Sequence, residues 1–232
     1  MDTQAQPTER DRASDPSVHE GEEERSRFAF LSDVVSLLPG GRLTLSALLC
    51  LVLLLLVSVF VMQPFQIPSG SMEPALRAGD RVLVDKLAYR FGARPQRGDV
   101  VVFDGTDYFG DADYIKRVVG VGGDHVVCCD SRGRIAVNGE PVDEQAFLYP
   151  GNAPSTVRFD LVVPDGTLFL LGDHRGDSRD SRDYLGAPGG GMIPVDAVIG
   201  KARWIAWPTS HWGSLSRNDV YARVPAPGGA HG

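Results

Sequence analysis

Basic residues and cysteine are scarce in this chain, and each scarcity excludes a class of function. The 232 residues include 23 lysines and arginines against 30 aspartates and glutamates, which gives a formal net charge of −7. Nucleic-acid binding needs clustered cationic side chains that neutralise phosphates, so this composition argues against such a role. With three cysteines and no pair of Cys-x-x-Cys motifs, a structural zinc site is not expected.

Charge is absent altogether from a twenty-residue run, Leu43 to Met62. A helix of this length, at roughly 1.5 Å per residue, would cross a hydrocarbon core of about 30 Å. A buried helix in a soluble core would rarely be apolar on every face over that length. A cleaved secretory signal would begin near residue 1, whereas a polar tail precedes this run. The pattern therefore predicts an uncleaved transmembrane anchor.

The basic residues on either side of this run predict its orientation. Arg25, Arg27 and Arg42 precede the run, whereas the first basic residue after it is Arg77. Positively charged flanks favour the cytoplasmic side of a membrane. We therefore expect the N-terminus to lie in the cytoplasm and the chain from Gln63 onward to lie outside.

The chain accordingly divides into four expected segments. The first is acidic, with Glu22 to Glu24 and few apolar residues, which is typical of disorder. The last is rich in proline and glycine and is also expected to be disordered. The segments are a cytoplasmic tail at 1–42, a transmembrane helix at 43–62, an extracytoplasmic domain at 63–223 and a C-terminal tail at 224–232.

Short β-type runs separated by turn residues fill the region after the anchor, and no long helical periodicity interrupts them. Asn138-Gly139 and Asp165-Gly166 have the residues that hairpin turns favour. We therefore predict a mostly β domain, folded as an antiparallel sheet or barrel-like sandwich. The runs are Arg81–Asp85, Asp99–Phe103, Tyr114–Val121, Asp124–Cys128, Arg134–Val137, Val157–Val163, Leu168–Leu171 and Ala197–Ile205.

Two cysteines, Cys128 and Cys129, are neighbours in the expected extracytoplasmic part. That compartment permits a disulfide, but a bridge between sequence neighbours would be geometrically strained. We therefore interpret the pair mainly as strand residues, one of them buried, and leave their redox state open.

Three segments carry candidate chemistry. The first, Ile67 to Leu76, is either a linker turn rich in Ser, Gly and Pro or a serine nucleophile presented on a tight glycine turn. In the second, Asp113 to Asp124, Lys116 interrupts an apolar β run. A lysine is usually exposed there, but one that faces the apolar side would have a lowered pKa and could act as a neutral base. The third, Gly172 to Arg182, follows an apolar strand. It is either a solvated loop or a set of polar residues that orient a catalytic side chain.

In their order, spacing and residue identities, these segments resemble the type I signal peptidases, the bacterial leader peptidases with a Ser–Lys dyad. The resemblance includes the anchor and most of the chain from Gln63 to Leu215, with the linking motif Arg97–Phe103 and the strand that opens at Gly200. It implies a membrane-bound serine endopeptidase of secretory preproteins that cleaves after small Ala-x-Ala-like residues. It also implies a monomer that needs no metal and no organic cofactor.

The resemblance assigns the chemistry to two residues, Ser71 as the nucleophile and Lys116 as the general base. A serine hydroxyl is a weak nucleophile until a base takes its proton, and an ammonium cannot do so. Lys116 must therefore be neutral, which burial favours. Ser69 corresponds to the side chain that joins the Ser71 backbone N–H in the oxyanion hole.

Residues of the third segment correspond to supporting positions. Ser178 is the hydroxyl expected to hydrogen-bond the lysine. Asp180 and Arg182 are expected to form a structural ion pair, and Asp173 with Gly172 to shape the turn.

Two other catalytic arrangements are less favoured. His174 would permit a Ser–His–Asp triad, but it occupies a position that varies in the resembled family. A penicillin-binding type site needs a lysine three residues after the serine, where this chain has Pro74. The remaining rivals are an inert, membrane-tethered β domain that binds a surface partner, and a self-cleaving Ser–Lys regulator. The regulator would need a DNA-binding segment, which the acidic tail does not supply.

The contacts with substrate and membrane are less defined by sequence. Shallow apolar pockets near Ile67, Val101 and Ile115 are expected to accept the small side chains. Pro64 and Phe65 are candidates for the membrane interface. Core packing is an equal alternative to an interfacial position for three aromatic residues, Trp204, Trp207 and Trp212.

Overall fold

The protein is described by a computed structural model over residues 42–215 and 219–228. The chain divides into two compact units, 1–55 and 56–232. Residues 1–41 of the expected cytoplasmic tail and residues 229–232 of the expected C-terminal tail lie outside the described residues. The part of the C-terminal tail that is described packs on the second unit, because Val224 is buried and the Pro225 carbonyl accepts hydrogen bonds from Arg97 and Asn138.

Helix α1 spans Arg42–Phe60 and is dominated by leucine, a strong helix former, with no glycine or proline to interrupt it. Its leucines are between 37% and 77% exposed. No helix in the described ranges satisfies both the length and the hydropathy required of a membrane span.

The larger of two antiparallel sheets belongs to the second unit. Its strand order is β1-β2-β11-β3-β4-β9-β10, with β12 beside β11. Within the described residues β1 and β10 do not pair, so this sheet does not close into a barrel. Its strands are β1 Met62–Gln66, β2 Arg81–Asp85, β3 Val100–Asp104, β4 Asp113–Val121, β9 Thr167–Leu171, β10 Ile193–Pro194, β11 Val198–Trp207 and β12 Gly213–Ser214.

The smaller sheet has the order β7-β6-β5-β8. Asn138 and Gly139 adopt left-handed backbone angles, φ 52° and 81°, and form the β6–β7 hairpin as predicted. Asp165-Gly166, in contrast, lies in a turn that joins β8 of this sheet to β9 of the larger one, so it is not a hairpin turn. The strands are β5 His125–Cys128, β6 Ile135–Val137, β7 Glu140–Pro141 and β8 Phe159–Val162.

The prediction of a mostly β, antiparallel domain is confirmed, and each predicted run overlaps a strand. Strand β1 was missed because its five residues include Pro64, which lacks a backbone donor. Pro64 is tolerated because β1 lies at the edge of the sheet.

Three buried clusters follow from the alternation of side chains along the strands. Val100 and Val102 of β3 pack in one cluster, whereas Val101 and Phe103 pack in another on the opposite face. The third cluster lies between the two sheets and contains, for example, Phe169. Both faces of β4 are therefore covered from residue 115 to residue 120, so a polar side chain in that stretch is buried whichever way it points.

The structure corrects the interpretation of the cysteines, because Cys128 and Cys129 form a disulfide. Strand β5 ends at Cys128. Cys129 lies beyond the strand, so its side chain does not have to point to the face opposite Cys128. It can therefore lie on the same side as the Cys128 sulfur.

Candidate active site

The segment that carries Ser71 folds against the sheet directly after β1. Ile67, Met72 and Leu76 are almost fully buried in the cluster that also contains Val100 and Val102. The Glu73 N–H donates to the Gly70 carbonyl and closes the turn around Ser71. Apolar anchors on both sides thus fix the position of the serine.

Lys116 lies in the middle of β4, opposite Val101 of β3. The side chains of Lys116 and its neighbour Arg117 are each about 3% exposed, although they point to opposite faces. Sequence alternation left open which of the two would be buried. Both are, because both faces of β4 are covered.

The nucleophile and base candidates meet at hydrogen-bonding distance. Lys116 Nζ and Ser71 Oγ are 2.8 Å apart, and Ser71 itself is 7% exposed. Ser69 Oγ donates to Ser71 Oγ across 3.3 Å. Three polar groups from two segments that lie far apart in the sequence therefore converge on one point.

The electrostatic environment favours a neutral amine at position 116. Burial lowers the pKa of Lys116 from 10.5 to about 8, against the opposing influence of Asp180 and Asp173. No carboxylate of the described residues ion-pairs with Lys116 Nζ. An unpaired, desolvated amine releases its proton more readily than an exposed lysine does.

A turn after β9 lies behind this pair and is fixed by buried ionic contacts. Asp180 accepts from the Gly172 N–H at 3.0 Å and pairs with Arg182 at 2.8 Å through both oxygens. Arg182 also donates to the Arg175 carbonyl. The ion pair expected between Asp180 and Arg182 is therefore present, and it clamps the two ends of the turn together.

Asp173 does more than shape the turn, because it receives a two-pronged contact from Arg117. The two guanidinium nitrogens lie 2.7 and 2.6 Å from its oxygens, and both residues are buried. Arg117 also lies over the Phe147 ring at 4.2 Å. Sequence reasoning missed Arg117. A signal was present, since it is a second cation beside Lys116 in an apolar run.

A second buried ion pair that the sequence did not reveal holds the same turn from the small-sheet side. Arg175 contacts both oxygens of Glu144 at 2.8 and 2.7 Å and donates to the Gly172 carbonyl at 2.9 Å. The Tyr221 hydroxyl donates to Glu144 at 3.2 Å. The turn is thus tied directly to Arg117 and to Glu144, and Tyr221 supports the second of these contacts.

Ser178 and Gly172 pack tightly beside the serine. A Cβ placed on Gly172 would lie 2.6 Å from the Ser71 carbonyl oxygen and would also overlap Ser178 Oγ. Only glycine fits between them. Ser178 Oγ is buried without a hydrogen-bond partner among the described residues, so its expected bond to Lys116 is not formed in this structure and its role stays a prediction.

His174 contributes its backbone to the site. Its N–H donates to the Ser71 carbonyl at 3.1 Å, whereas its ring stacks on Tyr149 with centroids 3.8 Å apart. Its Nδ1 is buried and lacks a partner among the described residues. The Asp–His contact that a catalytic triad requires is therefore not formed at this residue. Over the described ranges, no group of three or more metal-ligating side chains occurs.

A serine hydroxyl held against a desolvated amine, on an antiparallel β scaffold, is the arrangement of a serine peptidase with an amine base. Comparison with known proteins also indicates a peptidase. The sequence model of a family described as "Signal peptidase, peptidase S26" matches residues 41–207. The chain belongs to this signal peptidase family.

Several relatives share most of their length with the chain. It is 36% identical to signal peptidase I of Mycobacterium tuberculosis (strain ATCC 25618 / H37Rv), with 72% of each chain covered. It is 38% identical to the probable signal peptidase I-1 of Synechocystis sp., covering 77% of this chain and 87% of that one. For signal peptidase I of Pseudomonas fluorescens the identity is 38% and the coverage 72% and 74%.

A solved structure is also similar, the crystal structure of a signal peptidase I from Enterococcus faecalis V583. The identity is 27% and the TM-score 0.37, with 47% of this chain and 96% of that one covered.

Proposed function

We propose that this protein is a membrane-bound endopeptidase that removes N-terminal signal peptides from secreted preproteins, with Ser71 as nucleophile and Lys116 as general base. The observation that carries the proposal is the 2.8 Å contact between Lys116 Nζ and Ser71 Oγ in a buried setting. It supplies the base that a serine requires, together with the desolvation that lowers the pKa of this base and so makes its neutral form accessible.

The proposed reaction proceeds in two halves. Neutral Lys116 takes the Ser71 proton while Oγ forms a bond to the scissile carbonyl carbon. The resulting ammonium gives that proton to the departing amine as the peptide C–N bond breaks, which leaves an acyl-enzyme and a neutral lysine. Water then attacks the ester, and Lys116 again accepts the proton and returns it to Ser71 Oγ.

In the proposed reaction, Ser69 stabilises the charge that develops during attack. Its hydroxyl lies 3.3 Å from Ser71 Oγ, the atom to which the tetrahedral carbon becomes bonded. A donor at that range reaches the oxyanion on the same carbon, and the Ser71 backbone N–H supplies a second donor. The turn closed by Gly70 and Glu73 fixes both groups before substrate arrives.

The sheet offers an edge for an extended substrate beside the dyad. Residues Asp113–Lys116 pair with β3 on one side, whereas pairing with β9 begins only at Arg117. Along Asp113–Lys116 the described residues place no strand on the other side. A preprotein segment in β conformation would use these free backbone groups and bring its scissile bond to Lys116.

Small residues before the cleaved bond fit the apolar surroundings of this edge. Ile67 and Ile115 share one buried cluster with Met72, so side chains of this cluster are available to contact a substrate methyl group. Val101, which was also expected among these residues, packs in the cluster on the opposite face and is the cross-strand neighbour of Lys116, so its contact with substrate stays a prediction. This arrangement favours Ala-x-Ala-like sequences over bulky ones.

The uncharged run Leu43 to Met62 serves as the membrane anchor in this proposal, with the N-terminus in the cytoplasm and the catalytic domain outside. The exposure of the α1 leucines supports a lipid surrounding. Pro64, Leu83 and Trp204 lie opposite one another in register across β1, β2 and β11, and Trp204 is 44% exposed. This row of apolar side chains is suited to the membrane interface.

The decisive test is incubation of the purified full chain with one secretory preprotein, followed by N-terminal sequencing of the product. A new N-terminus after a small-x-small sequence is expected. Ser71→Ala should abolish the cleavage while the thermal unfolding transition is retained, and Ser210→Ala, which alters an exposed serine, serves as the matched control.

Retained cleavage in Ser71→Ala would overturn the assignment. The rival from another class is an inert tethered β domain. It predicts no cleavage by the unaltered chain and equal behaviour of both serine variants.

A further inference from the structure

The segment that follows β2 has a charge opposite to that of the whole chain. Residues 86–97 read KLAYRFGARPQR and contain four basic residues and no acidic one, in a chain with a net charge of −7. Arg97 is neutralised, because it pairs with buried Asp124 at 2.5 Å. For Lys86, Arg90 and Arg94 no carboxylate partner exists within the described parts of the chain. Three free cations therefore lie within nine residues.

This cationic segment begins where the chain enters the β domain. Met62, the first residue of β1, lies opposite Asp85, the last residue of β2. The Lys86 N–H donates to the Val61 carbonyl at 2.9 Å. Val61 follows directly on Phe60, the last residue of α1, so residue 86 is held beside the end of the apolar run.

Apolar side chains project into solvent from the same segment. Phe91 is 96% exposed and has a left-handed backbone, φ 59°, followed by Gly92 at φ 87°. Leu87 is 38% exposed. A bulky residue rarely adopts a positive φ, and a nearly bare aromatic ring gains nothing from water, so this loop tip is poorly suited to solvent alone.

Nearby acidic groups do not cancel the positive charge. Asp85 is already paired with Arg203 at 3.0 Å. Asp196 lines the same cavity of about 260 Å³ as Lys86 and Arg90, and it is the one acidic residue among the described residues that do so. The net charge that faces outward remains positive.

We propose that residues 86–94 form a second membrane contact, in which Phe91 and Leu87 enter the headgroup region and Lys86, Arg90 and Arg94 bind acidic phospholipids. The inference rests on the proposed anchoring of the chain by Leu43 to Met62. Basic residues near an anionic bilayer are attracted to it, and aromatic rings favour its interface. The contact would orient the substrate-binding edge of β4 relative to the bilayer.

Hydrogen exchange of the full chain in lipid nanodiscs tests the contact. The amides of residues 86–94 are expected to exchange several-fold more slowly in discs with acidic phospholipid than in discs of phosphatidylcholine alone. Added salt should remove most of the difference, since exposed charges are screened. Equal exchange in both kinds of disc would overturn the proposal.

Charge variants identify which residues are responsible. Combined Lys86→Gln, Arg90→Gln and Arg94→Gln should abolish the lipid-dependent protection, and Phe91→Ser should weaken it. The matched control changes Arg132, Arg158 and Arg223 to Gln, three exposed arginines elsewhere in the domain, and should keep it. Loss of protection in the control as well would show a nonspecific charge effect. It would contradict the assignment of the lipid contact to residues 86–94.

Preprotein cleavage separates this proposal from the proposed function and from another occupant. If the loop stays unprotected while Ser71-dependent cleavage continues, the membrane contact is wrong and the peptidase stands. If the triple variant slows cleavage equally in detergent and in acidic discs, the loop binds the preprotein instead of lipid. The proposal predicts slowing only in acidic discs.

Discussion

Two lysines in one row of the larger sheet show how surroundings determine what an amine can do. Lys201 of β11 and Lys116 of β4 both lie opposite Val101, one on each side of β3. Lys201 pairs with the Asp99 carboxylate at 2.5 Å, whereas the one hydrogen bond of Lys116 Nζ to a described residue is with the Ser71 hydroxyl, at 2.8 Å. A nearby carboxylate favours the charged form of an amine, whereas burial without a counterion disfavours it. The comparison shows that a lysine amine is suited to act as a base when it is buried without a counterion.

Truncation of the two lysines should affect activity very differently. Lys116→Ala is expected to lower kcat/KM for preprotein cleavage by about 10³-fold or more, because no other basic group of the described residues contacts Ser71 Oγ. Lys201→Ala should leave most of the activity once the folded fraction is taken into account. Comparable losses in the two variants, measured on a purified preprotein, would remove the distinction between them.

The pH dependence of cleavage should report the ionisation of Lys116. Its pKa is lowered to about 8 by burial, so the rate should rise about tenfold per pH unit below this value and level off above it. Lys201→Ala should keep the same profile. A rate that is flat from pH 5 to 9 would contradict the assignment of Lys116 as the base.

Gly172→Ala tests whether the turn behind the serine must pack this closely. The added Cβ would meet the Ser71 carbonyl oxygen and Ser178 Oγ, so cleavage should fall about ten- to a hundredfold and stability by about 1–3 kcal/mol. Gly186→Ala is the matched control, because nothing lies within 4 Å of its Cβ position. Kinetics and thermal unfolding of both variants provide the measurement, and equal behaviour would refute the packing argument.

Opposite changes in stability should result when each lysine becomes methionine. The folded pKa of Lys116 lies below the ordinary 10.5, so the unfolded chain binds its proton more tightly and stability falls as pH drops from about 10.5 to about 8. Lys116→Met removes this penalty and should stabilise the protein at pH 7 by about 2–3 kcal/mol, with little gain above pH 10.5.

Lys201→Met should instead destabilise by about 1–3 kcal/mol, because Asp99 is buried and loses its cation. Denaturant unfolding of both variants in one detergent compares them directly. A shift of the same sign in both would contradict the different roles given to the two lysines.

Local sequence signals were sufficient for eight of the twelve strands of the described residues, whereas Ser71 and Lys116 were assigned by resemblance to a family. The β-type runs and turn residues reflect backbone preferences that act within a few positions, and an apolar run around a single lysine reflects burial. Strand β1 escaped because Pro64 is a feature of edge strands, and a sequence does not reveal which strand forms an edge.

The ionic support of the site could not be read from the sequence, because it joins distant residues. Arg117 and Asp173 are 56 positions apart, and Arg175 and Glu144 are 31 apart. Each is an ordinary charged residue until the fold removes it from water, after which it needs a partner. The disulfide of Cys128 and Cys129 also depended on where β5 ends, which composition does not determine.

The central claim is that the amine of Lys116, while it contacts Ser71, loses its proton at a much lower pH than an exposed lysine does. The most direct measurement is the titration of the ¹⁵N-labelled side-chain nitrogen of Lys116, followed by NMR on the full chain in detergent micelles. The account predicts a midpoint near pH 8, as burial requires. A midpoint near 10.5, the value of an exposed lysine, would contradict it.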